Sequence, residues 1–452
     1  MRFPLLFPCV LLAACGVVPL EFEEDAGASF PVESLPDGSV ALASDAGVAV
    51  TPPDAGPSVL VYPLDRKHSP LTAEVVTRLQ AIAALAPAKK GNVFSKIGDS
   101  NTVNASYLSC FAGAQVDLAG RSSLDAVLAH FRAGRVGTTS PFDRTTLAAT
   151  VGWSASAASA GTPSPLQQEL DAASPRYATV MFGTNDVGFA DPASFGRNLF
   201  SLVDTLTAQG VVPLITSVPP RDDSATADAW VPRYNLVARG VAQARQVPFI
   251  DLHRELQGVT AHGLGPDGIH LNVFLSGGPR GCNLNPGPLD FGHNARNLGT
   301  LEALARAWAA VEQGAPADLT APRRPGTGVR GDEIAVTSLP FVDTRDTRTD
   351  GAARLDSYPG CGSTTNEGGR EVLYRLELTQ PTNLRVVVVS LGNADIDVHL
   401  LSDPGSGQSC IARHDKFLTR QLAAGTYWLS LDTYQAPTGP LAGEYLVGVL
   451  AE

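Results

Sequence analysis

The hydrophobic pattern between residues 59 and 313 constrains the fold of this 452-residue chain more than any other feature. Short apolar runs suited to buried strands lie at residues 93–97, 146–151, 179–182, 211–217 and 247–252, and helical spacing recurs at 195–206, 236–244 and 298–311. Parallel strands need helical crossovers of this kind between them. The alternation therefore predicts an α/β domain over residues 59–313, with a parallel sheet covered on both faces.

A different period follows this segment. Residues 314–334 are rich in Pro, Arg and Gly and predict a linker. Between residues 335 and 452, alternating apolar residues predict strands at 372–378, 384–391, 396–401, 426–431 and 445–450. Short strands with turn residues between them indicate an all-β domain, an antiparallel sandwich.

The first residues predict export. Arg2 precedes a short apolar stretch, so residues 1–14 are predicted to be a signal peptide. The sequence LAACG that ends it resembles a bacterial lipobox, which implies acylation of Cys15 and anchoring in the cell envelope. Gly16, the residue after the cysteine, favours sorting to the outer membrane, and whether the protein is exposed on the cell surface is left open. The alternative to a lipoprotein is an ordinary secretory signal in which Cys15 is incidental. Residues 15–58, mostly small and acidic, predict a flexible tether.

The chain has six cysteines. Removal of Cys9 with the signal peptide and acylation of Cys15 would leave four, which are Cys110, Cys282, Cys361 and Cys410. An exported protein keeps disulfides, and four cysteines allow three pairings. Because two lie in each predicted domain, the simplest pairing is Cys110–Cys282 with Cys361–Cys410.

Charge and composition exclude several classes of protein. The chain has 33 Lys and Arg against 45 Asp and Glu, a net charge of −12, and no basic cluster, so nucleic-acid binding is not expected. Beyond the signal peptide no apolar run approaches the ~18 residues that span a bilayer, so the lipid is the only predicted membrane contact. No CxxC or Cys/His cluster points to a metal.

Three polar motifs follow predicted strands in the first domain. They are GDSN at residues 98–101, GTND at 183–186 and DGIH at 267–270. Because open α/β sheets place their sites at the carboxyl ends of the strands, these motifs are expected to converge on one edge.

The residue types in these motifs suit acyl transfer. Ser100 is the candidate nucleophile, and His270 is the candidate base that takes its proton. Asp267, three residues earlier, is placed to accept the other imidazole N–H and fix the tautomer. The side-chain amide of Asn185 is a candidate donor to an oxyanion.

These motifs resemble the Ser, Asn and His blocks of the SGNH, or GDSL-type, hydrolases, over about residues 90–312. The resemblance implies a flavodoxin-like three-layer sandwich, a Ser100–His270–Asp267 triad and no cofactor.

The resemblance also implies an oxyanion hole formed by Ser100, Gly152 and Asn185. The glycine block of the family is degenerate. Gly152 fits its place in the order, and Gly161 and Gly120 are the alternatives.

The chain departs from the family after the third motif. A loop from residue 272 to 297 precedes the last predicted helix and contains a second Asp-x-x-His, Asp290 and His293. The closer match of DGIH favours His270 over His293. A bond between Cys282 and Cys110 would hold this loop near the site.

The C-terminal segment resembles the bacterial pre-peptidase C-terminal domain, through features such as Asp395, Asp397 and the Ala-Gly-Thr-Tyr turn at 424–427. Two carboxylates are few for Ca²⁺, so no metal is predicted there. A role in surface attachment or in targeting the enzyme to its substrate would fit this domain.

The combined expectation is an exported serine hydrolase of carboxylic esters. A short-acyl or O-acetyl esterase acting on glycans is favoured, because no long apolar lid is found. The alternatives are a lipase- or lysophospholipase-like esterase and a non-catalytic surface-binding protein on a hydrolase scaffold. A peptidase is suggested only by the kind of protein in which the C-terminal domain type usually occurs.

Overall fold

Strands and helices alternate along the chain up to residue 313 in the computed structural model, which describes residues 58–452. The predicted signal peptide, the lipidation at Cys15 and the tether up to residue 57 lie outside the described residues. The first five strands are β1 (Ser58–Leu60), β2 (Lys90–Gly98), β3 (Pro175–Met181), β4 (Val212–Thr216) and β5 (Phe249–Ile250). The α-helices of the described residues are α1 (Ala73–Ala84), α2 (Ser100–Val103), α3 (Asp125–Ala133), α4 (Pro165–Ala173), α5 (Pro192–Ala208), α6 (Ala225–Arg245), α7 (Leu252–Leu256) and α8 (Gly292–Gln313).

The predicted parallel sheet is confirmed. Strands β2, β3, β4 and β5 pair side by side in that order, each parallel to its neighbour. Helices α1, α3 and α8 form one group, in which α1 and α3 contact α8, and helices α5 and α6 form another. Strand β4 is contacted by α1 and α8 of the first group and by both helices of the second. Every residue of β3 is buried, as expected for a parallel strand with both faces covered.

One predicted strand of this sheet is wrong. Residues 146–151 form no strand, and only Ala149 pairs, through a single bridge to Gly98. Side chains take the hydrogen bonds that a strand would need: Leu147 N–H donates to Glu169, and Ala148 N–H donates to the Thr146 hydroxyl.

Most strand pairs of the C-terminal region are antiparallel, as predicted. Its strands are β6 (Arg323–Pro325), β7 (Ile334–Val336), β8 (Phe341–Asp346), β9 (Val372–Leu378), β10 (Thr382–Ser390), β11 (Ile396–Leu401), β12 (Cys410–His414), β13 (Phe417–Leu422), β14 (Gly425–Thr433), β15 (Gln435–Ala436), β16 (Gly439–Pro440) and β17 (Glu444–Ala451). The two larger sheets have the orders β13-β10-β17-β8 and β12-β11-β14-β9-β7, and the β7–β9 pair is parallel. The short strand β6, inside the predicted linker, pairs with β1.

The sheet β13-β10-β17-β8 packs on both of its faces. Val386 and Val388 join a hydrophobic cluster shared with the five-stranded sheet, whereas Val387 and Val389 join the cluster built around the parallel sheet. Helices α5 and α6 make this second contact, α5 with β10 and α6 with β8 and β17. Within residues 58–452, no helix has the length and apolar character needed to cross a membrane.

Both predicted disulfides are present. Cys110 and Cys282 are bonded, with their Cα atoms 5.8 Å apart, and so are Cys361 and Cys410, at 5.1 Å. The first bond ties the segment after α2 to the long loop before α8.

Candidate active site

Ser100 lies at the first position of α2, directly after β2. Asp99 caps this helix by accepting the N–H of Asn101 at 3.0 Å. Gly98 must be glycine here, because a Cβ would lie 2.5 Å from the carbonyl oxygen of Met181 and closer still to Thr102 Oγ1. The helix is a single turn, so the dipole that favours anions at long helix N-termini contributes little.

His270 contacts both of its predicted partners. Its Nε2 lies 2.9 Å from Ser100 Oγ, and its Nδ1 lies 2.6 Å from Asp267 Oδ2. Asp267 Oδ1 accepts the backbone N–H groups of Ile269 and His270, both at 3.0 Å. One carboxylate therefore holds the turn and the imidazole together.

The Asp267 carboxyl group is held in its ionised form. Burial raises its pKa, but the hydrogen bonds from the His270 side chain and from the backbone N–H groups of His270 and Ile269 outweigh this and lower the pKa to about 2. The side chains of His270 and Asp267 are 40% and 50% exposed, so the site opens on the surface of the protein.

The second Asp-x-x-His forms no such pair. Asp290 accepts the backbone N–H of Thr260 at 3.1 Å, and neither ring nitrogen of His293 has a hydrogen-bond partner. Burial, together with the charges of Arg296 and His270, lowers the pKa of His293 to about 3. This geometry favours His270 as the partner of the serine.

Gly152 and Asn185, two of the three expected oxyanion donors, lie on segments that are hydrogen-bonded to each other. Asn185 Nδ2 donates to the carbonyl oxygen of Trp153 at 2.9 Å, and the Asp186 carboxylate accepts the N–H of Ala155 at 3.0 Å. These contacts join the segment after β3 to the loop that carries Gly152, which is exposed and has a φ of +81°.

Burial makes Asp186 an unusual acid. It is 4% exposed, and burial raises its pKa to about 6, against the effect of the Ala155 N–H and with a further contribution from Asp99. Asp186 therefore changes its charge within a mildly acidic range.

Arg296 packs beneath the active site, although none of the sequence motifs contains it. It is 2% exposed, and it donates to the carbonyl oxygen of Asn101 at 2.7 Å and to Thr102 Oγ1 at 3.0 Å, while its guanidinium lies over the ring of Tyr107. Burial raises the pKa of Asp99, and the charge of Arg296 opposes that rise. Helix α8 begins at Gly292 and not near residue 298, so Arg296 lies on this helix, beneath α2. In the sequence, the feature that could have indicated Arg296 is the run of polar residues at the start of α8.

Exposed apolar side chains are concentrated beside the motifs. Among the large apolar residues with exposed side chains, one directly precedes Gly152 in the sequence, and three lie within five residues of Ser100, Asn185 or His270. They are Val103 (37% exposed), Val151 (71%), Phe189 (70%) and Leu275 (68%). We call these four residues the apolar rim.

The part of the chain that carries the three motifs matches a known protein family. Residues 97–273 match the GDSL-like Lipase/Acylhydrolase family, a range that contains all three motifs. On this match the chain is an enzyme, a hydrolase of carboxylic esters. No curated protein matches the sequence.

Several solved structures are similar over parts of the chain. A catalytic mutant of Axe2, an acetylxylan esterase from Geobacillus stearothermophilus, is 14% identical with a TM-score of 0.33 and covers 49% of this chain and 97% of its own. LAE5, an α/β hydrolase enzyme from the metagenome of Lake Arreo, is 20% identical with a TM-score of 0.31, covering 48% and 96%. PliG of Aeromonas hydrophila, a periplasmic inhibitor of g-type lysozyme, is 19% identical with a TM-score of 0.18, covering 26% and 94%.

Proposed function

We propose that this chain is a serine esterase whose catalytic triad is Ser100, His270 and Asp267. The observation that carries the proposal is the continuous set of contacts from Ser100 Oγ through both nitrogens of His270 to Asp267. Such an arrangement activates a serine because the histidine takes its proton, and the carboxylate fixes the tautomer and stabilises the imidazolium.

The reaction has two halves. Ser100 Oγ attacks the ester carbonyl carbon as its proton passes to His270 Nε2, and the carbonyl electron pair moves onto oxygen. The tetrahedral intermediate collapses, the alcohol leaves with the proton from His270, and an acyl-enzyme remains. Water, deprotonated by His270, then attacks the acyl-enzyme, and the acid is released as His270 returns the proton to Ser100 Oγ.

The proposed oxyanion hole consists of the backbone N–H groups of Ser100 and Gly152 and the side-chain amide of Asn185. The hydrogen bond from Asn185 to Trp153 supports this assignment, because it holds the amide beside the loop of Gly152 and uses only one of its two N–H groups. Each such donor typically contributes about 3 kcal/mol to the transition state.

We propose short acyl esters on a large alcohol, such as O-acetyl groups of a glycan, as the substrate class. The exposure of His270 and Asp267 supports this, because an open site admits an ester carried by a bulky chain. The apolar rim favours a second candidate, an ester with a long acyl chain such as a lipid ester, which would contact Val151, Phe189 and Leu275.

A series of p-nitrophenyl esters from acetate to palmitate tests both candidates. We expect hydrolysis by the wild-type chain, loss of about 10³-fold or more in Ser100→Ala, and wild-type rates in the matched control Ser123→Ala, whose side chain is exposed. Fastest turnover of acetate supports the short-acyl substrate, and fastest turnover of long chains supports the lipid ester. No hydrolysis of any ester by the wild-type chain would favour the binding protein.

We further propose that the α/β region forms the three-layer, flavodoxin-like fold of SGNH hydrolases and that residues 335–452 form a β-sandwich of the pre-peptidase C-terminal type. The hydrophobic cluster shared by the two larger antiparallel sheets supports the sandwich.

We also propose that the protein is exported and anchored through Cys15. The two disulfides support export, because such bonds persist in oxidising compartments. Labelling with a fatty-acid analogue should mark the wild-type chain and not Cys15→Ser, and equal labelling of both would contradict the anchor.

A further inference from the structure

Three buried side chains outside the active site converge beneath a loop of the C-terminal region. Asp397 and His399 alternate along β11, so they point to the same face of the sheet, opposite to Ile396 and Val398, which face the hydrophobic core. Glu367, from the loop before β9, covers that face. Asp397 is 6% exposed, and Glu367 and His399 are fully buried.

Two of these side chains lack hydrogen-bond partners. Neither carboxylate oxygen of Glu367 and neither ring nitrogen of His399 is hydrogen-bonded, although His399 Nε2 lies 3.9 Å from Glu367 Oε1. Asp397 accepts a hydrogen bond from Arg413 Nη2 at 3.0 Å, and its carboxyl group lies within hydrogen-bonding reach of that of Glu367. Two buried carboxyl groups this close repel each other when ionised, so the pair needs either a shared proton or a cation. Buried carboxylates are normally paired, because an uncompensated charge in the protein interior is strongly unfavourable.

The spacing of these groups suits one cation. One ligand atom from each of Glu367, Asp397 and His399 lies within 4.8 Å of the other two. Donors that each bind a central ion at about 2.0–2.4 Å are themselves no more than about 4.8 Å apart. Two carboxylates balance the charge of a divalent ion, and the imidazole favours a transition metal over Ca²⁺ or Mg²⁺.

We propose that Glu367, Asp397 and His399 bind a divalent transition-metal ion of the zinc class. The ion satisfies the unpaired oxygens of Glu367 and one nitrogen of His399, while Arg413 holds the Asp397 carboxylate in place.

The site is structural, because burial keeps substrates away from it. Tyr358, from the same covering loop as Glu367, stacks on His399 with ring centroids 3.5 Å apart and donates to or accepts from Ser430 Oγ at 2.9 Å. The Cys361–Cys410 bond ties this loop to β12. A metal ion adds a third attachment, between the loop and β11.

A second ligand set shares His399. The sulfur atoms of Cys361 and Cys410 also lie within 4.8 Å of a ring nitrogen of His399. In the disulfide neither sulfur is a thiolate, the form that binds metals, so the carboxylate set is the one available in the oxidised protein.

Zinc titration of the purified full chain, without reductant and against a chromophoric chelator, tests the proposal. We expect the wild-type chain to bind one equivalent that Glu367→Gln and His399→Gln bind more than about 100-fold more weakly. The matched control is Glu377→Gln, whose native side chain is 62% exposed on β9, and it should retain the equivalent. Zinc should also raise the melting temperature of the wild-type chain and of Glu377→Gln, and not that of Glu367→Gln.

Three results would overturn the proposal. Equal zinc binding by the wild-type chain and Glu367→Gln would show that the ion binds elsewhere. Zinc binding that appears only after reduction would assign it to Cys361 and Cys410. Binding of Ca²⁺ with no binding of zinc would remove His399 from the ligand set. If His399→Gln fails to fold, Glu367→Gln decides the test. Glutamine has the shape of glutamate and removes a buried charge, so Glu367→Gln is expected to fold.

Discussion

At the residue scale, the site depends on one carboxylate with two functions. Asp267 Oδ1 accepts two backbone N–H groups and shapes the turn, whereas Oδ2 contacts His270 Nδ1. An asparagine retains the first function, since its carbonyl oxygen also accepts hydrogen bonds, but it presents an N–H to the imidazole in place of an acceptor. The two functions are therefore separable by a single substitution.

We expect Asp267→Asn to lower kcat by about 10²–10⁴-fold with little change in KM, because the histidine is held in the wrong tautomer. Steady-state kinetics on the best p-nitrophenyl ester measures this. Asp222→Asn is the matched control, because Asp222 makes the same kind of contact with His262, at 2.8 Å. A loss in the control as large as that in Asp267→Asn would contradict the account.

The proposed oxyanion donor gives a second prediction at this scale. Asn185→Ala should lower kcat by about 10²–10³-fold, since its amide acts on charge that develops only in the transition state. Asn393→Ala, at an exposed position in the C-terminal region, should leave the rate unchanged. A change confined to KM in Asn185→Ala would argue for substrate binding in place of oxyanion stabilisation.

At the element scale, the segment after β3 and the loop of Gly152 are joined through Asp186. Its carboxylate accepts the Ala155 N–H, and its burial raises the pKa to about 6, above the ordinary value of 3.8. The folded protein therefore binds a proton more tightly than the unfolded chain at this position. The stability that Asp186 contributes is present below about pH 4 and is lost as the pH rises through about 6.

Asp186→Asn should remove this dependence. The amide oxygen still accepts the Ala155 N–H, but no charge forms, so the variant should gain up to about 3 kcal/mol relative to the wild-type chain between pH 4 and pH 7. Urea unfolding at pH 4, 5, 6 and 7 measures the effect, with Asp171→Asn on the surface of α4 as the control. Identical pH profiles of Asp186→Asn and the wild-type chain would contradict the raised pKa.

At the scale of the whole molecule, the C-terminal sheets and the α/β region share a core. Val387, Val389 and Leu446 belong to the same hydrophobic cluster as the parallel sheet. Gly240 of α6 allows this close approach, because a Cβ there would lie 2.6 Å from Val342 Cγ2 and closer to Leu446 Cδ1.

Gly240→Leu should separate these surfaces and lower the free energy of unfolding by about 1–3 kcal/mol, although leucine has the higher helix propensity. Chemical denaturation measures the change. Gly258→Leu is the matched control, since no atom lies within 4 Å of a Cβ at that position. If the two variants are equally stable, the contact between α6 and β17 contributes little to stability.

The sequence predicts the parts of this molecule that local patterns determine. The parallel sheet, the antiparallel strands and both disulfides follow from periodicity and from the positions of the cysteines. The buried Arg296 was missed because its partners are backbone and hydroxyl groups of a segment 194 residues away.

The second packed face of β10 was also missed, although the sequence contains a signal for it. Four consecutive valines at residues 386–389 form an unbroken apolar run, which is typical of a strand buried on both faces and not of one with an exposed face. The pairing of His270 with Ser100, 170 residues apart, followed from the predicted topology, because a parallel sheet brings the carboxyl ends of its strands to one edge, and the family resemblance implied the same pair.

The central claim, that Ser100 is an activated nucleophile, is tested most directly by covalent labelling with a fluorophosphonate followed by peptide mass spectrometry. We expect one adduct per chain, on the peptide that contains Ser100. The adduct should be absent in Ser100→Ala and should form at least about 10²-fold more slowly in His270→Ala. An adduct on another serine, or no adduct on the folded wild-type chain, would contradict the claim.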